Sequence, residues 1–156
     1  MSSFTDALIT RRLADGINWN VERQFDFHIG ELNSNVFARV PKGFTTNLAS
    51  IPRLARLFVP KTGKHDQAAT LHDQGYEYRV IFIRHAHGKV SAVERSRAYW
   101  DRVFYDALLV LGVRRTRAWL MYQAVRMGGW IAWNKSVKAD NEHPYIGILK
   151  AAELLT

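Results

Sequence analysis

The sequence contains no cysteine. No disulfide can form, and any metal site has to be built from histidine, carboxylates, carbonyls or water. Long apolar runs are missing too. The longest, Ala107 to Val113, falls far short of the roughly 18 residues that a membrane-spanning helix needs. Residues 1–15 lack the apolar stretch of a secretory leader, because Arg11, Arg12 and Asp15 interrupt them. There is no internal repeat, no linker and no long basic run. The net charge of +8 comes from 22 basic and 14 acidic residues and reads as scattered. It permits contact with nucleic acid, anionic lipid or an acidic protein without selecting one.

What is present is the composition of a folded protein. Apolar residues make up 47% of the 156 and aromatics 12%, enough for one domain with a real core. Val21 to Ile29 alternates: Val21, Phe25, Phe27 and Ile29 share one face, and Glu22, Gln24, Asp26 and His28 the other. This period of two predicts a half-buried strand. Val36, Ala38 and Val40 alternate again, Pro41-Lys42-Gly43 breaks the run, and Phe44 to Asn47 resumes it. A short helix is expected from Ser50-Ile51-Pro52, and a second over His65 to Arg79. Ser91 with Glu94 reads as a capping box opening a third helix, on which Trp100, Val103, Phe104, Ala107, Leu108 and Leu111 follow at helical spacing. Gly112 ends it. A fourth helix runs from Arg115 or Thr116 to Gly128-Gly129, with Ala118, Met121, Tyr122 and Val125 on one face. Ile146 to Leu155 forms a last short helix or an arm. The expected fold is α+β: a small antiparallel sheet in the first third, then a bundle of three or four helices, with 130–156 as a C-terminal segment.

The chemistry centres on His72-Asp73. On a helix His72 and Tyr76 stand four apart on one face, and Asp73 points about 100° round. Histidine suits general-base work near neutrality, and a carboxylate suits a hard cation such as calcium. Asp101 lies at the edge of the third helix's apolar face. If the two helices pack antiparallel, its partners are His72 and Tyr76; a surface pairing with Arg97 or Arg102 is the alternative. A carboxylate on the far imidazole nitrogen would fix the tautomer. His72, Asp101 and Tyr76 thus form the expected catalytic set. His65-Asp66 lies two turns earlier and could join His72 in a transition-metal site, or simply open the helix as an exposed histidine. Thr46, Asn47 and Ser50, with Arg53 behind them, offer oxygens and helix-start amides as an ion cradle or as plain caps.

Three blocks then resemble a known family. Val40-Pro41-Lys42-Gly43-Phe44 through Thr46-Asn47-Leu48-Ala49-Ser50-Ile51-Pro52-Arg53 is the first. Leu71-His72-Asp73 with Tyr76 is the second. Arg97, Asp101 and Phe104, followed by Leu111-Gly112-Val113 and the Met121-Tyr122 helix, form the third. Together they resemble the phage family called domain of unknown function 1353. That resemblance implies a phage or prophage protein, present in the host cytoplasm during assembly and able to join a virion. The family pattern has Asp where Asn47 stands, so a ligand here would lack charge. A second, local resemblance is to the two-helix core of secreted phospholipases A2. It implies His72 as the base, Asp73 as the calcium ligand, and Tyr76 and Asp101 as the brace; Asn47, from the first block, could add an uncharged amide oxygen to a metal site. The disulfides and the glycine-rich calcium loop of that family are missing. Two functions are open on this footing: a hydrolase acting on envelope lipid or another ester, and a non-catalytic virion or assembly component that binds other virion proteins or itself; the net charge of +8 alone motivates a third, a basic nucleic-acid binder.

Overall fold

The computed structural model describes residues 1–47, 63, 65–136 and 142–156. Its fold is α+β. Strands β1 (Ser3–Phe4), β4 (Phe25–His28), β5 (Val36–Val40), β7 (Val80–Arg84) and β8 (Val90–Glu94) form one antiparallel sheet in the order β1-β4-β5-β7-β8. A smaller antiparallel sheet has the order β2 (Thr10–Arg12), β3 (Trp19–Val21), β6 (Thr45–Thr46). The helices are α1 (His65–Tyr78), α2 (Arg97–Val110), α3 (Arg115–Gly128), α4 (Trp130–Ser136) and α5 (Pro144–Ala151).

The main core lies between one face of the large sheet and α1, α2 and α3. Phe25, Phe27, Ala38 and Val40 from the sheet meet Leu71, Trp100, Phe104, Leu108 and Met121 from the helices. The opposite face carries a second cluster of Phe37, Phe82, Val90 and Leu149, sealed by Tyr145 and Ile146 of α5. This cover corrects the expectation of a half-buried strand. All four residues of β4 are buried, including Asp26 and His28. Buried polar groups need partners. Asp26 takes two hydrogen bonds of 2.7 Å from Arg39, and His28 Nδ1 lies 2.6 Å from the Ser34 carbonyl.

Other expectations shift in identifiable ways. The alternating run from Val21 is two strands, β3 and β4, which belong to different sheets. The strand material is not confined to the first third, because β7 and β8 form a hairpin between α1 and α2. Ser91 to Glu94 therefore opens no helix: it is extended and paired with Val80 to Ile83 in that hairpin. The residue that caps α2 is Ser96, whose Oγ accepts from the Tyr99 amide at 3.4 Å. Past α2, Gly112 adopts a φ of 78°, and Val113 N reaches Leu108 O at 3.0 Å, closing the helix end as its glycine required. Residues 144–156 lie against the chain's own sheet, where Leu155 bridges Val90. The helix expected at Ser50-Ile51-Pro52 lies outside the described residues.

Candidate active site

The hairpin sets the geometry. Val80 sits opposite Glu94, and Arg95 N bonds Arg79 O at 2.7 Å, so the end of α1 lies beside the start of α2. The two helices run antiparallel and come unusually close. A Cβ on Gly75 would stand 2.1 Å from Trp100 Cε3, so only glycine leaves room for the indole. That approach brings Asp101 of α2 onto His72 and Tyr76.

Asp101 is fully buried and accepts from four donors. Its Oδ1 takes His72 Nε2 at 2.9 Å and the Tyr76 hydroxyl at 2.6 Å. Its Oδ2 takes Arg126 Nη1 at 2.7 Å and Arg97 Nη1 at 3.3 Å. Burial alone would raise this carboxyl; the hydrogen bonds from His72, Tyr76 and Arg126 outweigh it and hold Asp101 below the usual carboxylate range. It is ionised at neutral pH and can only accept. The proton on His72 Nε2 is therefore assigned by its partner. Burial pushes the imidazole below its ordinary range, against the pull of Asp101, so the ring is neutral. A neutral ring protonated at Nε2 carries its lone pair on Nδ1. That atom is buried and, among the described residues, has no hydrogen-bond partner.

The frame around the pair is aromatic. The His72 ring lies 4.1 Å from Tyr76 and 4.9 Å from Phe104, centroid to centroid. Trp133 meets Tyr76 edge-on at 5.2 Å, and the Arg79 guanidinium stacks 3.9 Å over Trp133. Gly129 makes room for Tyr76: a Cβ there would lie 2.3 Å from the hydroxyl. Burial, then the bond to Asp101, raises the Tyr76 phenol far above its ordinary value, so it remains a donor.

The remaining expected residues fall as follows. Asp73 is half-buried and its Oδ2 accepts from Thr46 Oγ1 at 2.5 Å, tying β6 to α1. Burial pushes its carboxyl up to about 7; the Thr46 bond opposes this and the charge of Glu77 adds to it. Asn47 follows Thr46 at the end of β6. Ser50 and Arg53 lie outside the described residues. His65 is buried, which corrects the reading of an exposed histidine, and its Nε2 lies 3.4 Å from Asp66 Oδ1. Among the described residues no three His, Asp or Glu side chains come together as metal ligands. Arg97 joins the site, whereas Arg102 pairs with Asp106 at 3.9 Å. Sequence reasoning missed Arg126, Trp133, Gly75 and Gly129. A glycine inside a helical pattern was the available signal for Gly75. Nothing local to Arg126 pointed across to Asp101.

No curated protein and no solved structure matches this chain. A family model described as Protein of unknown function (DUF1353) matches residues 19–125, a span holding His72, Asp73, Tyr76, Arg97 and Asp101 but not Arg126. The match covers well over half of the sequence, and the chain belongs to that family.

Proposed function

We propose that this protein is a hydrolase in which His72 activates water against an ester, with envelope lipid or another ester as the substrate. The observation that carries this reading is the asymmetry of the imidazole: Nε2 is held by Asp101, while the basic Nδ1 has no hydrogen-bond partner among the described residues. Nδ1 would take a proton from water as the water oxygen adds to the ester carbonyl carbon. The same proton then goes to the departing alkoxide, leaving a carboxylic acid and an alcohol, and His72 returns to its neutral form. Asp101 and Tyr76 are positioning residues here. They fix the tautomer and stabilise the imidazolium that forms, and this brace is what the resemblance to the phospholipase core implies.

Calcium takes six to eight oxygen ligands. The described residues offer Asp73, whose Oδ2 already accepts from Thr46, and Asn47, which follows Thr46 in the chain. These donors alone do not make a calcium site.

The test uses a panel of phospholipids and simple aryl esters with wild type beside His72→Gln. Glutamine can still donate to Asp101 but is no base. Hydrolysis should fall at least about 100-fold, the lower end of what a general base contributes, with the melting temperature nearly kept. No hydrolysis by wild type, or equal rates in the variant, would overturn the reading.

One observation favours a second reading. His72 is only 2% exposed, as suits a buried polar network that fixes helix packing in a non-catalytic virion or assembly component. In that case His72→Gln should alter stability or particle incorporation and no reaction rate.

A further inference from the structure

The basic residues are scattered, but the acidic ones are unevenly placed. Between Asp106 and Asp140 there is no acidic residue, while Arg114, Arg115, Arg117, Arg126, Lys135 and Lys138 fall in that stretch. It thus carries six of the eight net positive charges. The same stretch holds α3 and α4, and these helices leave large apolar side chains outside. Trp119, Leu120, Met127, Trp130 and Ile131 are between 45% and 70% exposed.

These side chains share one side. At about 100° per residue, Trp119, Leu120 and Met127 fall within one arc, opposite the buried Ala118, Met121 and Val125. Gly129 keeps a right-handed helical conformation (φ −68°, ψ −18°), so the band continues into α4 through Trp130 and Ile131. Arg115 and Arg126 lie along one edge of the arc and Arg117 along the other. Beside Trp119 and Leu120 opens a shallow groove of about 480 Å³, lined also by Tyr105, Arg115 and Thr116.

We propose that the α3–α4 face docks on the surface of an anionic phospholipid bilayer. Tryptophan, leucine, methionine and isoleucine would enter the headgroup region, and the exposed Arg115 and Arg117 would meet lipid phosphates, Arg126 being held by Asp101. The composition argues against other occupants. Nucleic acid would pair the arginines but leave five apolar side chains facing charged backbone. A second copy would bring two faces of the same sign together. The groove with Arg115 at its rim suits an acyl chain below a headgroup. As a statement about substrate this rests on the hydrolase reading; as a statement about binding it does not.

The test is co-sedimentation of the full-length protein with vesicles of phosphatidylglycerol in phosphatidylcholine, and with phosphatidylcholine alone. Binding should need the anionic lipid and weaken with salt. Arg115→Gln combined with Arg117→Gln should weaken it about 30-fold, two charges at about 1 kcal/mol each. Trp119→Ser with Trp130→Ser should weaken it and remove the blue shift of tryptophan fluorescence on vesicle addition. Both pairs are solvent-exposed, and circular dichroism checks their folding; should one pair misfold, the other decides. Absence of binding to anionic vesicles, binding unchanged in the folded variants, or binding to a DNA duplex in preference to vesicles would overturn the proposal. His72→Gln should bind vesicles like wild type. Vesicle binding by a protein that hydrolyses nothing would sink the hydrolase reading and leave the docking surface standing.

Discussion

Gly75 and Trp100 are in register across the α1–α2 contact: a single methyl group on Gly75 would overlap the indole, 2.1 Å from Cε3. The indole is fully buried and cannot swing away. Gly75→Ala should therefore cost more than the 1–3 kcal/mol typical of an added core methylene. It should also move Asp101 off His72, so any activity should fall along with the melting temperature. Chemical denaturation beside a rate assay checks both; an unchanged midpoint would contradict the contact.

The four donors on Asp101 make it the least replaceable polar group of the site. Asp101→Asn removes the charge and replaces one acceptor oxygen by an N–H donor, and leaves Arg97 and Arg126 without their carboxylate. A loss of about 3–5 kcal/mol is expected, as when one partner of a buried ion pair is removed. Tyr76→Phe deletes one hydrogen bond and should cost about 1.5–3 kcal/mol, the range for a bond to a charged group. If His72 is the base, Tyr76→Phe should also shift the pH profile of the rate while leaving KM nearly unchanged. A purely structural brace would leave that profile in place.

Truncating the large core residues tests the α2 register independently of function. Trp100 and Phe104 are buried against α1. Trp100→Ala or Phe104→Ala should each cost about 3–5 kcal/mol through the cavity left behind. Urea unfolding curves with an unchanged m-value would read this directly.

Acid should destabilise the protein through His143. Burial drives this imidazole down to about 4, although its Nε2 bonds the Arg39 carbonyl at 2.9 Å. Its Nδ1 accepts from the Tyr145 amide at 3.1 Å and caps α5, so the ring is neutral when folded. A folded pKa below the unfolded value of 6.5 means that the unfolded chain binds more protons between 4 and 6.5. Stability from this group is complete above 6.5 and is lost as the pH falls toward 4, by about 3 kcal/mol in all. His72, lowered in the same direction, adds to the slope. His143→Asn keeps a capping side chain without the titration, so its melting temperature should depend less steeply on pH over that window.

The sequence carried the helices well, because their periodicity reports directly on which side is buried. α1, α2 and α3 lie within a residue or two of expectation apart from the start of α2, and His72, Tyr76 and Asp101 meet as antiparallel packing required. The error at Ser91 has a local cause. Ser-x-x-Glu is a cap only where the chain turns helical, and here Val90 to Glu94 pairs with β7 instead. Asp26 and His28 looked solvent-facing because nothing in their own strand announces a helix more than 100 residues later covering that face. Arg126 was invisible for the same reason: its role depends on how α3 crosses α2, which is a property of the packed chain.

The large sheet ends in two modest borders. β1 has only two residues, and along β8 the Val90 amide and carbonyl are already engaged by Leu154 O and Thr156 N. A sheet with such short or occupied margins offers little template for adding a foreign strand. Clipping the last three residues would uncover Val90 and give β8 a free border, a change that would show first as a tendency to aggregate rather than as a lost reaction.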